Sequence, residues 1–246
     1  GFLGSGKTTL LRRVAEREAN TRGRRLVLLV NEFASLDVDG RALEHDIKGA
    51  AQVVAVPGGS IFCTCLVARF LKELKALVAH HHEAPIDALL VEASGAANPA
   101  VVGQLLRETG LDRQIELRRT VCVADPVSLP RLIETLPNVK SQLAAADLVV
   151  LNKADLGGAD ANAQCKAIIN KHAPGAALHV CEHADPCPDL LGDGVPLSER
   201  AGELAGCQDP HFAKSVFDPG EPVDRAALLG LLEAWRERAY QIGRAH

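Results

Sequence analysis

The sequence has few aromatic side chains and no excess of positive charge. Phe, Trp and Tyr make up 3% of its 246 residues, so the core must be aliphatic and a nucleic-acid surface of stacking rings is excluded. The 27 Lys and Arg residues against 31 Asp and Glu give a net charge of −4, which argues against a DNA or RNA partner. No apolar run approaches the length of a membrane span. We therefore expect a cytoplasmic protein without a nucleic-acid or membrane partner.

Cysteine is present but in a pattern that does not suggest disulfides. The seven cysteines are an odd number and are irregularly spaced. In a chain of cytoplasmic character, reduced thiols or metal ligands are expected instead of a disulfide framework.

The first nine residues, GFLGSGKTT, carry a phosphate-binding motif. They fit the pattern G-x-x-x-x-G-K-[ST], in which glycines let backbone N–H groups wrap a triphosphate. Lys7 is predicted to reach the β- and γ-phosphates, and the Thr8 hydroxyl to bind Mg²⁺. An apolar helical stripe follows, which places the phosphates at a helix N-terminus. The predicted phosphate-binding residues are Gly1, Gly4, Ser5, Gly6, Lys7, Thr8 and Thr9.

Apolar strands alternate with helices along most of the chain, and this alternation predicts the fold. Such a pattern is typical of a parallel sheet with helices on both faces, here an α/β P-loop NTPase. Because a phosphate loop normally follows a buried strand, we expect that strand to be missing before Gly1, and the chain to be cut short at its other end too. Strands are predicted at 24–31, 52–56, 86–91, 116–123, 147–151 and 176–181, and helices at 9–19, 62–82, 99–107, 129–136, 139–145, 159–171 and 224–240.

Two further motifs follow predicted strands, where parallel sheets bind ligands. In Asn152-Lys153-Ala154-Asp155, the Asp155 carboxylate is predicted to accept hydrogen bonds from guanine N1–H and its amino group. Adenine lacks N1–H, so an unpaired acceptor would penalise ATP and disfavours an ATP-driven kinase. Asn152 is predicted to hold the base edge and neighbouring loops, and the Lys153 stem to cover the ring. Glu92 ends another strand and is predicted to hold Mg²⁺, with the nearby Gly95 amide sensing a γ-phosphate.

Taken in order, the motifs GFLGSGKTTLL, VNEF, GG-x-x-x-C, E-x-S-G and NK-x-DL resemble the CobW-like metallochaperone GTPases, relatives of the nickel-insertion GTPases of urease and hydrogenase. The resemblance implies GTP and GDP binding, GTP hydrolysis with Mg²⁺, and delivery of Zn²⁺, Co²⁺ or Ni²⁺ to a client metalloprotein. It also admits a nucleotide-dependent homodimer. Lys7, Glu32 and Glu92 are the predicted catalytic residues, and Glu32 or Asp39 is predicted to orient water or metal in the first switch. The alternative is a GTP-gated client-binding switch without a transition metal.

The metal motif of that family is incomplete in this chain. Where the family has C-x-C-C after Gly-Gly, this chain has Ser60-Ile61-Phe62-Cys63, with Cys65 two residues further on. A soft divalent ion wants about four ligands, and only Cys63, Cys65 and Glu32 are candidates. The alternative is that both cysteines are small side chains packed at a helix start.

A second candidate metal cluster lies near the last predicted strand. At strand spacing His179, Cys181 and His183 share one face, and with Cys187 they offer two imidazoles and two thiols. The spacing matches no standard zinc module, so isolated strand-end residues are the alternative.

Three segments are expected. Residues 1–183 would form the GTPase domain and the Pro-, Gly- and Asp-rich residues 184–210 a linker or surface loop. Residues 211–246 resemble the start of the family's C-terminal domain, on His211, Ser215 and Phe217.

Overall fold

The computed structural model describes residues 1–32, 51–57, 62, 66–95, 97–191, 224–227 and 229–230. The chain divides into two compact units, Gly1–Asp209 and Pro210–His246. In the second unit, the described residues 225–227 and 229–230 are helical. The domain boundaries expected at 183 and 210 stay predictions. The start of the expected linker nevertheless packs against the core of the first unit, since Ala184 and Leu190 are buried there.

The six described strands are all parallel to their neighbours. They form two three-stranded sheets, in the orders β2-β1-β3 and β4-β5-β6. The strands are β1 (Leu26–Glu32), β2 (Ala51–Pro57), β3 (Ala88–Glu92), β4 (Val121–Ala124), β5 (Leu148–Leu151) and β6 (Ala177–Val180). Each lies within or beside a strand predicted from its apolar run, and the α/β fold class is confirmed.

The continuous apolar run of β1 is buried on both faces of the sheet, as predicted for a central parallel strand. Leu26, Leu28 and Val30 pack in one apolar cluster with helix α1 (Lys7–Arg22). Val27 and Leu29 face the opposite side and pack with the helices there. Helices therefore cover both faces.

Helix α1 connects the two sheets. Its buried residues Leu10, Leu11 and Val14 lie in a cluster that includes Leu90 of β3 and Val123 of β4. The remaining helices are α2 (Val67–Glu83), α3 (Val101–Thr109), α4 (Leu129–Thr135), α5 (Pro137–Ala144) and α6 (Ala154–His172), with a short 3₁₀ helix at Leu111–Arg113. The sequence predicted that helix α2 begins at residue 62, but in the structure it begins five residues later, at Val67.

The strand predicted at 116–123 is shorter in the structure, where β4 begins at Val121. Its partner β5 begins at Leu148, opposite Val121. Just before this point, the Thr120 amide donates to the Asp147 carboxylate at 2.6 Å. The Asp147 amide also donates to the Thr120 carbonyl at 2.8 Å, and the pairing of β4 with β5 is described no further toward residue 116.

Glu18 of α1 is a fully buried carboxylate that holds three arginines together. Arg17, Arg22 and Arg24 donate to its oxygens at 2.7 to 3.2 Å. Arg17 also donates to the carbonyl oxygens of Cys187 and Pro188, at 2.8 and 3.0 Å. This cluster therefore anchors the segment after β6 to α1.

Replacing Glu18 with glutamine is expected to lower the free energy of unfolding by about 2–3 kcal/mol, because three guanidinium groups lose their shared counter-charge. Chemical denaturation measures the change. The matched control is Glu116→Gln, at an exposed carboxylate paired with Arg118 at 2.9 Å, where a loss below about 0.5 kcal/mol is expected. Equal losses for the two variants would contradict the structural role of Glu18.

Candidate nucleotide-binding site

The phosphate loop lies at the carboxyl edge of the sheets, between β3 and β4. A Cβ atom at Gly1 would collide with the backbone of Val123, and one at Gly95 would lie 2.8 Å from the Leu3 amide nitrogen. The two glycines permit these close approaches because they carry no side chain. The loop is thus held between the ends of strands that belong to different sheets.

Within the loop, three donors converge on the carbonyl oxygen of Phe2. The Ser5 hydroxyl donates to it at 2.8 Å, the Ser5 amide at 3.3 Å, and the Lys7 Nζ at 3.1 Å. Gly6 has φ +99°, a left-handed conformation that glycine adopts at no steric cost. It precedes α1, and the N–H groups of a helix's first turn have no carbonyl partner within the helix, an arrangement that suits phosphate oxygens.

Thr8 and Glu92 come together where the sequence predicts Mg²⁺. The Thr8 Oγ1 donates to the Glu92 carboxylate and lies 3.2 Å from both of its oxygens. A hydroxyl and a carboxylate are hard oxygen ligands, and Mg²⁺ combines one or two of these with waters and substrate phosphates. The pair therefore fits a magnesium ion. The assignment of individual ligands stays a prediction.

The guanine-side motif contacts the phosphate loop directly. Asn152 is buried, and its Nδ2 donates to the Ser5 carbonyl at 3.1 Å. Lys153 Nζ donates to the Gly4 carbonyl at 2.6 Å. The structure thus brings Asn152 and Lys153 next to Ser5 and Gly4, although the two pairs of residues are about 150 positions apart in the chain. Asp155 is exposed, so its carboxylate is accessible to a base.

Two residues that the sequence analysis missed support this motif. The Ala184 amide donates to Asn152 Oδ1 at 2.9 Å, which fixes the orientation of the Asn152 side chain. Asn162 Nδ2 donates to the Ala154 carbonyl at 2.8 Å, beside a non-helical break in α6 at Gly158. The glycine pair 157–158 was the only signal of this break, and no local pattern identifies the two partners.

The predicted transition-metal site falls largely outside the described residues. Cys63 and Cys65 are not among them, and Glu32 is described only as the last residue of β1. Asp39, predicted for the first switch and for Mg²⁺, also lies outside the described residues. Phe62, at a position where the family has a cysteine, is 2% exposed. Its ring packs edge-on against Phe70, with centroids 5.5 Å apart. This residue belongs to the apolar core.

The structure does not bring the side chains of His179, Cys181, His183 and Cys187 together as a set of metal ligands. Among the described residues, no three His, Cys, Asp or Glu side chains are grouped to hold an ion. His179 Nε2 instead donates to the Pro186 carbonyl at 2.7 Å. Burial raises the pKa of the Cys181 thiol and of the Cys187 thiol, which disfavours the thiolates that bind metals. Both interpretations of this segment, a metal site and isolated strand-end residues, stay predictions.

In the part of the chain that the structure describes, none of the helices combines the length and apolar character needed to cross a bilayer.

A parallel sheet that carries this phosphate loop and an Asn-Lys-x-Asp loop at its carboxyl edge defines a P-loop nucleotide-binding protein. Residues 1–180 match the family described as CobW/HypB/UreG, nucleotide-binding domain, and the chain belongs to that family. The resemblance inferred from the motifs is confirmed.

Several relatives are named for zinc or for GTP. The chain is 32% identical over 223 residues to the zinc chaperone CobW of Pseudomonas aeruginosa, covering 78% of this chain and 58% of that protein. It is 35% identical over 157 residues to the zinc chaperone YeiR of Escherichia coli, covering 63% of this chain and 45% of that protein. The chain thus spans about half the length of these curated relatives.

A solved structure shows the same fold. The Zn(II)-bound YjiA GTPase of E. coli superimposes with a TM-score of 0.51 at 21% identity, covering 78% of this chain and 56% of that chain.

Proposed function

We propose that this chain binds and hydrolyses GTP and couples the nucleotide cycle to delivery of a metal ion to a client metalloprotein. The proposal that the chain binds GTP is supported by the contact between the phosphate loop and the guanine-side motif. Asn152 and Lys153 bond the carbonyl oxygens of Ser5 and Gly4. One ligand can therefore occupy both motifs, with its phosphates at α1 and its base at Asp155.

The proposed reaction is phosphoryl transfer to water. The water oxygen bonds to the γ-phosphorus, the bond between that phosphorus and the β–γ bridging oxygen breaks, and GDP leaves with that electron pair. The attacking water's protons remain on the phosphate formed or pass to solvent. Lys7 Nζ and the amides at the start of α1 stabilise the charge on the transferring group. When bound, Mg²⁺ would neutralise charge on the β- and γ-phosphate oxygens, held by Thr8 and Glu92. Glu32 or Asp39 is proposed to orient the attacking water.

The proposed metal cargo rests on family membership and on the names of the relatives. Zn²⁺ is the first candidate because two of them are named zinc chaperones. A GTP-gated client-binding switch without a transition metal is the second candidate function. It is favoured by Phe62, whose buried ring occupies the position of a family thiol and cannot ligate.

Zinc binding separates the two functions. With two thiols and one carboxylate as candidate ligands, we expect a dissociation constant of about 1 μM or weaker in the presence of GTP. Equilibrium dialysis of the full-length protein with GTP or GDP measures it. Ser60→Cys should tighten binding because it restores one thiol of the family motif, and Cys63→Ser should weaken it.

The matched control is Cys165→Ser, at a buried thiol that donates to the Pro126 carbonyl and lies outside the motif. Tight binding that Cys63→Ser and Cys65→Ser each abolish would contradict the weak site and establish a dithiol site. Zinc binding unaffected by nucleotide and by all of these substitutions would instead favour the switch without a metal.

A further inference from the structure

Gln142 is a buried amide that bonds the loop after β3. It lies on α5 and is 2% exposed. Its Nε2 lies 2.9 Å from the Gly95 carbonyl oxygen and 2.9 Å from the Ala97 carbonyl oxygen. Carbonyl oxygens only accept, so both distances require the amide nitrogen, with its two hydrogens, to face the loop. One side chain therefore satisfies two backbone groups.

The same loop is held from its other side by the phosphate loop. The Ala97 amide donates to the Ser94 carbonyl at 3.0 Å and closes a turn around Gly95. Gly95 is so close to Leu3 that a Cβ atom would lie 2.8 Å from the Leu3 amide nitrogen. Gly95 is thus placed between the phosphate loop and Gln142, three residues beyond Glu92.

Among the described residues, the hydrogen bonds of the Gln142 side chain go only to this loop. Gln142 Oε1 is buried, and it has no hydrogen-bond partner among the residues that the structure describes. An apolar side chain of the same size would leave the Gly95 and Ala97 carbonyls without their donor, which is costly for buried groups. The contribution of Gln142 is therefore the position of this loop.

Helix α5 gives the amide a rigid base. Val139 and Leu143, which flank Gln142 on the helix, are both buried. Helix α5 then leads into β5, which ends immediately before Asn152. A side chain locked by packing positions its partner more accurately than a mobile one.

We infer that Gln142 is a positioning residue that sets the Gly95 amide for the γ-phosphate and so governs discrimination between GTP and GDP. The inference rests on the proposed GTP binding at this site. GDP has no γ-phosphate, so the hydrogen bond from the Gly95 amide, which Gln142 positions, forms with GTP alone. Loss of Gln142 should therefore weaken GTP binding and leave GDP binding unchanged. A residue that merely packs would affect both nucleotides equally.

The test compares two nucleotides on Gln142→Met, which keeps the size of the side chain and removes the donor. Titration calorimetry on the full-length protein gives the affinities for GDP and for a non-hydrolysable GTP analogue. We expect the analogue to lose about tenfold in affinity, the equivalent of one charge-assisted hydrogen bond, and GDP to stay within about twofold. Gln142→Asn keeps an amide on a shorter stem and should lose less. It also serves as the test if Gln142→Met does not melt cooperatively.

The matched control is Gln104→Met. Gln104 lies on α3 and its Nε2 donates to Glu108 one turn away at 2.6 Å, so both affinities should stay as in the wild type. Equal losses for GDP and the analogue in the Gln142 variants, or no loss in either, would overturn the positioning role. A wild-type protein that binds neither guanine nucleotide would overturn the proposed function itself, and Gln142 would then be a packing residue.

Discussion

Replacing Lys7 with alanine is expected to reduce GTP hydrolysis by about 10³-fold. The Lys7 Nζ lies 3.1 Å from the Phe2 carbonyl at the centre of the phosphate loop, within reach of a γ-phosphate that occupies the loop. The phosphate-loop motif contains no other lysine, so the transferring group loses the ammonium charge that would stabilise it. Phosphate release under single-turnover conditions, with saturating GTP and Mg²⁺, measures the change.

The matched control for this variant is Lys75→Ala, at an exposed lysine of α2. It should retain wild-type turnover. Activity of the Lys7 variant within a few-fold of wild type would show that the phosphate-loop interpretation is wrong. A loss shared by both variants would indicate a general effect of lysine removal.

The second large effect is a change of base preference in Asp155→Asn. The Asp155 side chain is exposed at the end of the Asn-Lys-x-Asp loop, and its carboxylate is expected to accept two hydrogen bonds from guanine. In Asp155→Asn the amide NH₂ would face the guanine N1–H, so that two donors would oppose each other. Xanthine presents a carbonyl oxygen that can accept from the amide NH₂. We expect GTP affinity to fall by about 10²-fold, and affinity for xanthosine triphosphate to rise.

Calorimetry with GTP, ATP and xanthosine triphosphate measures this change. Asp160→Asn, at an exposed carboxylate further along α6, is the matched control and should keep the wild-type preference for GTP. Equal affinities of the wild type for GTP and ATP would contradict guanine recognition by this loop.

The variants of Lys7, Asp155 and Gln142 are expected to affect different parts of the proposed ligand. In the proposed function, Lys7 acts on the phosphates and Asp155 on the base, and Gln142 is inferred to act on the γ-phosphate alone. If all three regions bind one nucleotide, GDP affinity should respond to Asp155→Asn but not to Gln142→Met. The contacts of Asn152 and Lys153 with the phosphate loop are the structural reason to expect a single ligand.

Local patterns in the sequence determined the motifs and the fold class. The glycines, Lys7 and Thr8 lie within one short stretch of sequence, so their spacing alone predicts a phosphate loop. The apolar run 26–30 predicts a strand buried on both faces, and the structure places it between two apolar clusters. Both predictions depend on neighbours in the chain, which a sequence displays directly.

Only the tertiary structure decided which residues meet across the site. Gln142 and Gly95 are 47 positions apart, and Asn152 and Ser5 are 147 apart. A single amide on a helix has no periodicity that marks its partner. The strand predicted from 116 starts at Val121 because its length depends on a neighbouring strand. Contacts between distant segments are set by how the elements pack, and that information is absent from any local stretch of sequence.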